Sequence, residues 1–169
     1  MVGYGAMNFI MIATPLAMQH HAHPFADTAF VIQWHVFGMF APSFFTGHLI
    51  RRFGTANVML VGILLVGLCI GMNIAGTSVN HFWAALLFLG LGWNFLFLGA
   101  TTLLTETCDA KEKSKAQALN DFLVFGTVSV TSFSSGAVQH ALGWQTINLA
   151  VTPFLIFILI ANLWLRRKP

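Results

Sequence analysis

Six long apolar stretches, separated by short connections, constrain the fold of this chain more than any other feature. Each is close to the roughly 20 residues that an α-helix needs to cross a bilayer. Only 8% of the residues are charged, against about 25% in a soluble domain, so the chain cannot cover a water-facing surface. The sequence predicts an all-α membrane protein, a single bundle of six transmembrane helices in the lipid bilayer, over residues 2–19, 28–50, 56–75, 82–105, 116–139 and 146–165.

The positions of the basic residues test this division of the chain. The first, third and fifth connections contain no Lys or Arg. Because basic residues concentrate in cytoplasmic loops, this alternation predicts that both termini are cytoplasmic. No basic cluster is interleaved with aromatic residues, so nucleic acid is not an expected partner. The second connection, the fourth connection and the C-terminal tail hold all eight basic residues, Arg51, Arg52, Lys111, Lys113, Lys115, Arg166, Arg167 and Lys168.

The start of the chain and its two cysteines give weaker signals. The chain is already apolar at residue 2, and no basic segment or cleavage site precedes the first span. We therefore expect Met1 to be an internal residue of a longer protein, or the chain to be a truncated half. Cys69 and Cys108 are far apart in sequence and indicate no disulfide framework. Both are expected to be free thiols, although Cys108 could receive a soft metal in the fourth connection.

The first two spans carry two pairs of side chains that suit a soft metal ion. Met7 and Met11 are four residues apart, as are His35 and Met39, so each pair shares one helix face. Thioether and imidazole groups suit Cu(I). At a rise of about 1.5 Å per residue, antiparallel neighbours would bring Met11 level with His35 and Met7 level with Met39, near the bilayer midplane. Simple packing of an apolar core remains the alternative for all four.

Two further sets of polar residues are candidates for function. The first connection, H-H-A-H-P, holds His20, His21 and His23. These side chains predict either a loose metal-capture loop at the point of metal entry or a polar turn at the headgroup level. Gln33 and Asn94 are polar residues within predicted spans. Such residues either line a cavity or form hydrogen bonds between helices.

The second connection resembles a loop of a known family. The segment G-H-L-I-R-R-F-G resembles the G-x-x-x-D-R-x-G signature of the major facilitator superfamily, and it matches at Gly47, Arg52 and Gly54. It departs at Arg51, where the signature has Asp. In that superfamily the signature lies between helices two and three, and a weaker copy lies between helices eight and nine. The resemblance implies that this chain corresponds to helices seven to twelve, with an N-terminal six-helix half as its partner.

The Met-Met pair and the His-Met pair resemble a more specific family within this superfamily. The segments M-N-F-I-M and H-V-F-G-M are similar to the motifs of the CcoA-type copper importers, the CalT family, which carry Met-x-x-x-Met in helix seven and His-x-x-x-Met in helix eight. The resemblance implies copper import across the bacterial inner membrane by alternating access, for biogenesis of cbb3-type cytochrome c oxidase. It implies Met7, Met11, His35 and Met39 as ligands of copper. Copper would be the transported substrate rather than a cofactor, and no enzymatic activity is expected.

Two alternatives to copper import remain open. Members of related families that lack both pairs transport other solutes, riboflavin among them. Gln33, Asn94 and aromatic side chains would then line the cavity, and the Met and His pairs would only pack. The second alternative is a non-transporting membrane subunit or assembly factor.

Overall fold

The computed structural model describes residues 1–107, 109 and 112–167. None of these residues lies in a β-strand, so the predicted all-α class is confirmed. Cys108, Lys111 and Lys168, which were used in the sequence argument, lie outside the described residues. The helices are α1 (Val2–His20), α2 (Phe25–Phe40), α3 (Ser43–Phe53), α4 (Thr55–Ala75), α5 (Val79–Thr107) and α6 (Lys113–Leu165).

The last helix, α6, consists of two segments that meet at Gly143. That residue has φ 80° and ψ 175°, a conformation that is essentially restricted to glycine, and the helix is kinked there. The kink falls between the stretches 116–139 and 146–165, which the sequence predicts as separate spans. The two segments, residues 113–142 and 144–165, therefore correspond to the fifth and sixth predicted spans.

Three of the described helices are suited by length and composition to cross a membrane, namely α4, α5 and the kinked α6. Helix α2 has only 16 residues, which is short for a bilayer. Helix α1 carries Asn8, Pro15 and Gln19 among its apolar residues. The count of six separate spans therefore stays a prediction.

The stretch 28–50, predicted as one span, is broken into two helices. Helix α2 ends at Phe40 and α3 begins at Ser43. Pro42 lies between them and lacks the N–H that would continue the main-chain ladder of α2. The hydroxyl of Thr46 donates a hydrogen bond of 2.7 Å to the carbonyl oxygen of Pro42, which stabilises the start of α3.

Helix α5 lies at the centre of the bundle and contacts every other helix. Glycine permits its closest crossings. A Cβ atom on Gly62 of α4 would lie 2.9 Å from the carbonyl oxygen of Gly92, and one on Gly92 would lie 2.8 Å from that of Gly62. A Cβ atom on Gly90 would collide with the carbonyl oxygen of His35 in α2. The main chains therefore pack directly against each other, as small residues allow in membrane helices.

Helix α1 packs mainly against α6 rather than against α2. The amide of Asn8 donates hydrogen bonds of 2.9 Å to the hydroxyls of Thr131 and Ser132 in α6. The hydroxyl of Ser135 returns a bond of 2.7 Å to the carbonyl oxygen of Phe9. The run of Thr and Ser in the first segment of α6 thus serves as a polar seam between these two helices.

Candidate functional site

Four aromatic side chains from α1, α2 and α5 form a connected cluster. The rings of Trp93 and Phe97 lie parallel, with centroids 4.9 Å apart and an interplanar angle of 10°. Tyr4 meets Trp93 edge-on at 5.2 Å and Phe97 at 6.0 Å. Phe40 contacts Trp93 at 6.4 Å. Trp93 and Phe97 are four residues apart, so the helix itself places them on one face, and the edge-on contacts are favourable for aromatic rings.

Three of these side chains, Tyr4, Trp93 and Phe97, line a cavity of about 200 Å³. We call this space the aromatic cavity. Its remaining walls come from α4 and from both segments of α6. Among the described residues that line it there is no His, Asp, Glu, Lys or Arg side chain. The cavity therefore suits an uncharged, flat solute. Its polar lining side chains, besides Tyr4 and Trp93, are Thr101, Asn120 and Asn162.

Two buried polar groups at the aromatic cavity lack a hydrogen-bond partner within the described part of the chain. They are the indole Nε1 of Trp93 and the whole side-chain amide of Asn162, both its nitrogen and its oxygen. Asn162 is 1% exposed. An unsatisfied buried polar group costs about 1–3 kcal/mol, so such groups in a native protein call for an explanation. Sequence reasoning missed both residues, because it singled out no individual aromatic residue and no polar residue of the last span.

His35 lies at the interface of α2 and α5, where it is fully buried. Its Nδ1 lies 2.8 Å from the carbonyl oxygen of Leu86. Because a carbonyl only accepts, Nδ1 carries the proton and Nε2 presents a lone pair. Nε2 is buried with no partner among the described residues. Met39, one turn further along α2, is also buried.

The predicted alignment of the two Met and His pairs requires α1 and α2 to lie side by side. They touch only lightly, because α1 packs mainly on α6 and α2 mainly on α5. Met7 is buried and Met11 is half-buried. In the described part of the chain, no group of three His, Cys, Asp or Glu side chains could hold a metal ion. A ligand set of Met7, Met11, His35 and Met39 therefore stays a prediction.

The three histidines of the first connection are divided between two environments. The ring of His23 donates from Nε2 to the carbonyl oxygen of Thr77, at 2.7 Å, and so ties this connection to the one before α5. The rings of His20 and His21 contact each other edge-on at 5.4 Å. Both line a second cavity of about 760 Å³, together with Gln139. A role for all three in metal entry is not supported by a shared site, and it stays a prediction.

The two cavities lie at opposite ends of the bundle. Thr77, just before the start of α5, lines the larger cavity beside His20 and His21. Thr101 and Leu104, close to the end of α5, line the aromatic cavity. A helix of 29 residues spans about 43 Å at 1.5 Å per residue. The cavities are therefore separate sites.

Asn94, for which the sequence allows either a cavity position or a hydrogen bond between helices, joins α5 to the break between α2 and α3. Its Nδ2 donates to the carbonyl oxygen of Met39 at 2.7 Å and to the hydroxyl of Ser43 at 2.6 Å. Its Oδ1 lies 2.8 Å from the hydroxyl of Thr46, which shares its one proton between this oxygen and the carbonyl oxygen of Pro42. These contacts satisfy both ends of the amide, so they match the hydrogen bond between helices that was the alternative for this residue.

Gln33, the other predicted cavity residue, is exposed on α2. It shares a shallow groove with Trp34 and Phe37, which pack edge-on with ring centroids 5.4 Å apart. The groove faces outward from the bundle, so any solute that contacts Gln33 would do so at the surface of this half.

The loop that resembles the superfamily signature lies between α3 and α4. Gly54 ends α3 and begins α4 with φ 83° and ψ 148°, a conformation that favours glycine. A Cβ atom on Gly47 would meet nothing within 4 Å, and the guanidinium of Arg52 lies 5.3 Å from the centroid of the Phe53 ring.

The C-terminal tail contacts the start of α4 beside this loop. The guanidinium of Arg166 donates a hydrogen bond of 2.6 Å to the side-chain oxygen of Asn57. Two of the three basic regions therefore lie at one end of the bundle, as the charge pattern predicts.

The family described as the Major Facilitator Superfamily matches residues 1–169. The riboflavin transporter RfnT of Brucella anthropi is 48% identical over 166 residues, which are 98% of this chain and 42% of that protein. No solved structure shows a significant match.

Two further relatives are also named as transporters, in line with the expectation that the chain is not an enzyme. The uncharacterized MFS-type transporter YdeG of Bacillus subtilis is 38% identical over 136 residues, which are 79% of this chain and 30% of that protein. The putative nucleoside transporter YegT of Escherichia coli is 29% identical over 109 residues, which are 62% of this chain and 25% of that protein. The chain thus spans less than half the length of each relative.

Proposed function

The chain belongs to the Major Facilitator Superfamily, and we propose that it forms the C-terminal half of a transporter for a planar aromatic solute of the riboflavin type. The proposal places it in the bacterial inner membrane with both termini in the cytoplasm. An N-terminal six-helix half would complete the pathway, and the two halves would rock around a shared site. The matches to transporters and the three helices suited to crossing a membrane make it a membrane protein.

The aromatic cavity is the observation that carries this proposal. Trp93 and Phe97 present parallel rings, Tyr4 stands edge-on to both, and no ionisable side chain other than Tyr4 lines the space in the described residues. Stacking of a heteroaromatic ring on such a surface contributes about 1–3 kcal/mol per ring. A cavity of about 200 Å³ is smaller than the roughly 300–1,000 Å³ of a typical ligand pocket. This half would therefore supply only part of the site.

The names of two relatives support the same class of solute. RfnT is named as a riboflavin transporter and YegT as a putative nucleoside transporter. Riboflavin and nucleosides both join a flat nitrogen heterocycle to a polyhydroxylated chain or sugar. The higher identity to RfnT favours riboflavin over a nucleoside, and it favours an organic solute over copper.

Riboflavin binding to the purified intact transporter in detergent tests the proposal. A flavin stacked on an indole loses fluorescence, so we expect saturable quenching by the wild type. The double variant Trp93→Leu with Phe97→Leu should quench about tenfold more weakly if stacking on one outer ring face contributes about 1–3 kcal/mol. Phe133→Leu is the matched control, because that ring is 88% exposed and lies outside the aromatic cavity. Equal quenching by all three proteins would contradict an aromatic site.

Copper import remains a second candidate because of one observation, the buried lone pair of His35 Nε2. A histidine that binds a metal donates its other nitrogen to a carbonyl or carboxylate, as Nδ1 does here to Leu86. Met39 lies one turn away and would offer a thioether. Copper accumulation should be compared between wild-type cells and cells with Met7→Ala and His35→Ala in the intact transporter. Loss of copper uptake at equal protein level would favour copper as the transported substrate. Unchanged uptake would indicate that these residues only pack in the core.

A further inference from the structure

Gln33 interrupts a face of α2 that otherwise exposes aromatic rings. Phe30, Gln33, Phe37 and Phe40 are three or four residues apart, so they share this face, and all four side chains are exposed. Gln33 lies about 12 Å from the first residue of α2, at a rise of about 1.5 Å per residue. Its amide forms no hydrogen bond with any other described residue. The face therefore carries an unsatisfied polar group within a stretch that is predicted to lie in the bilayer.

An exposed amide at this depth indicates that lipid does not cover this face of α2. Lipid chains offer no hydrogen bonds, so polar side chains within a membrane face the bundle interior or a water-filled cavity. Leu64 of α4, by contrast, is 59% exposed beside the exposed Val61 and Leu68, as in a lipid-facing surface. The face around Gln33 is therefore expected to border the space between the two halves of the transporter.

The surface around Gln33 is a groove with a rigid aromatic side. Gln33, Trp34 and Phe37 line this groove, which has a volume of about 250 Å³. The indole of Trp34 meets three other rings edge-on, with centroids at 5.4 Å (Phe37), 6.0 Å (Trp83) and 6.3 Å (Phe30). These contacts restrict the indole, yet it remains 37% exposed, and Phe37 is 59% exposed. A solute in the groove can therefore reach two ring surfaces and the amide.

The groove lies on the same two helices as the ring cluster around Trp93. Phe40 follows Phe37 by three residues on α2, and its ring contacts Trp93 at 6.4 Å. Trp93 in turn lines the aromatic cavity. Trp83 and Trp93 are ten residues apart on α5, which is about 15 Å, so two aromatic surfaces follow each other along the helix. The groove is the nearer of the two to the first connection, which the charge pattern places outside the cytoplasm.

We propose that Gln33, Trp34 and Phe37 form a second solute site, which binds the flat solute on its way from the outer side to the aromatic cavity. The rings of Trp34 and Phe37 contact the heteroaromatic plane, since aromatic surfaces bind such rings largely irrespective of their substituents. The amide of Gln33 offers both a donor and an acceptor to the hydroxyl groups of the attached chain. This inference rests on the proposed function and goes further, because it adds a place of entry outside the aromatic cavity.

Protection of a cysteine in the groove by riboflavin tests this second site. The reporters are Gln33→Cys and Phe30→Cys, each in the intact transporter with its other cysteines replaced, and Phe30→Cys leaves all three groove residues in place. A charged methanethiosulfonate reagent reacts with thiolate groups in water. We expect it to modify both reporters, and riboflavin at ten times its dissociation constant should slow the reaction about tenfold. Leu64→Cys is the matched control, because its position should face lipid and react slowly with or without riboflavin.

The double variant Trp93→Leu with Phe97→Leu separates direct protection of the groove from closure of the transporter around a solute in the aromatic cavity. With Phe30→Cys as the reporter, riboflavin should still protect the groove in this double variant. Loss of that protection would mean that the groove is not a site of its own, and the inference would be wrong.

Two further results would overturn the inference and leave the proposed function standing, as long as the wild type still quenches riboflavin fluorescence. Reporters that react no faster than Leu64→Cys would show that lipid or the other half covers the groove. Reporters that react equally fast with and without riboflavin would show a surface that contacts water but not the solute. A wild type that does not bind riboflavin would instead overturn the proposed function, and this inference with it.

Discussion

The indole of Trp93 and the ring of Phe97 lie parallel on α5, with centroids 4.9 Å apart and planes 10° apart. In such an offset stack each ring covers part of one face of the other, so the pair is rigid and has little conformational freedom to lose on binding. Because Tyr4 stands edge-on to the same pair, the surface has a fixed border on the side of α1. The pair therefore gives the aromatic cavity a rigid aromatic side.

Replacing Trp93 tests whether this aromatic pair binds the solute. Trp93→Leu removes the indole surface and its N–H, whereas Trp93→Phe keeps a ring. We expect KM for riboflavin uptake to rise about tenfold or more in Trp93→Leu, in line with about 1–3 kcal/mol of stacking, and to rise less in Trp93→Phe. Initial rates of uptake at several riboflavin concentrations give both values. An unchanged KM in Trp93→Leu at normal protein level would place the solute elsewhere.

The crossing of α2 and α5 is sensitive to a single methyl group. Gly90→Ala would put a Cβ atom against the carbonyl oxygen of His35, and overpacking of this kind typically costs about 1–3 kcal/mol. We expect a lower melting temperature in detergent. Gly71→Ala is the matched control, because a Cβ atom there meets nothing within 4 Å. Equal melting temperatures for the two variants would contradict the close crossing.

Asn94 should matter for stability rather than for solute binding. Asn94→Leu removes the hydrogen bonds to Met39, Ser43 and Thr46 and leaves the Met39 carbonyl unpaired. Loss of a buried hydrogen-bonded group costs about 1–3 kcal/mol, so the melting temperature should fall. The dissociation constant for riboflavin in the protein that remains folded should be unchanged. A large change in that constant without a change in stability would show that Asn94 lines the binding site, which is one of the two roles that the sequence allows.

The kink of α6 depends on glycine at position 143. At φ 80° and ψ 175°, a side chain is disfavoured, and such a residue costs about 1–3 kcal/mol when it is not glycine. Gly143→Ala should therefore lower the thermal stability. Gly126→Ala, in the first segment of α6, is the control, since its Cβ atom would lie in open space and its φ is not positive. Equal stability of the two variants would mean that the kink tolerates other residues.

The sequence predicts the helical architecture well because residues close together in the chain determine where each helix begins and ends. Apolar length, basic connections, Pro42 and the glycines mark where helices begin, end or approach each other. Gly143 falls where the sequence places a connection, although the kink is much tighter than a loop. Pro42 could have been interpreted as a break in the second span, since proline interrupts a helix ladder.

The candidate site is less predictable because it depends on which helices are neighbours. The proposed alignment of Met11 with His35 assumes that consecutive helices pack side by side, whereas α1 packs mainly on α6 and α2 on α5. Tyr4 and Trp93 are 89 positions apart in the numbering, so no spacing rule links them. Asn162 could have been noticed as one of two asparagines, with Asn148, in the last predicted span, but its lack of a partner is visible only in three dimensions.

Uptake of labelled riboflavin by riboflavin-auxotrophic bacteria tests the central claim most directly. The cells would express the intact transporter or carry an empty vector, with the membrane protein level and copper content measured in the same cultures. The account predicts saturable riboflavin uptake only with the transporter, and copper content equal to that of the vector control. Riboflavin uptake no greater than the vector control, at confirmed expression, would contradict it. A rise in copper content alone would favour the Met and His pairs, and no change in either would favour a non-transporting subunit.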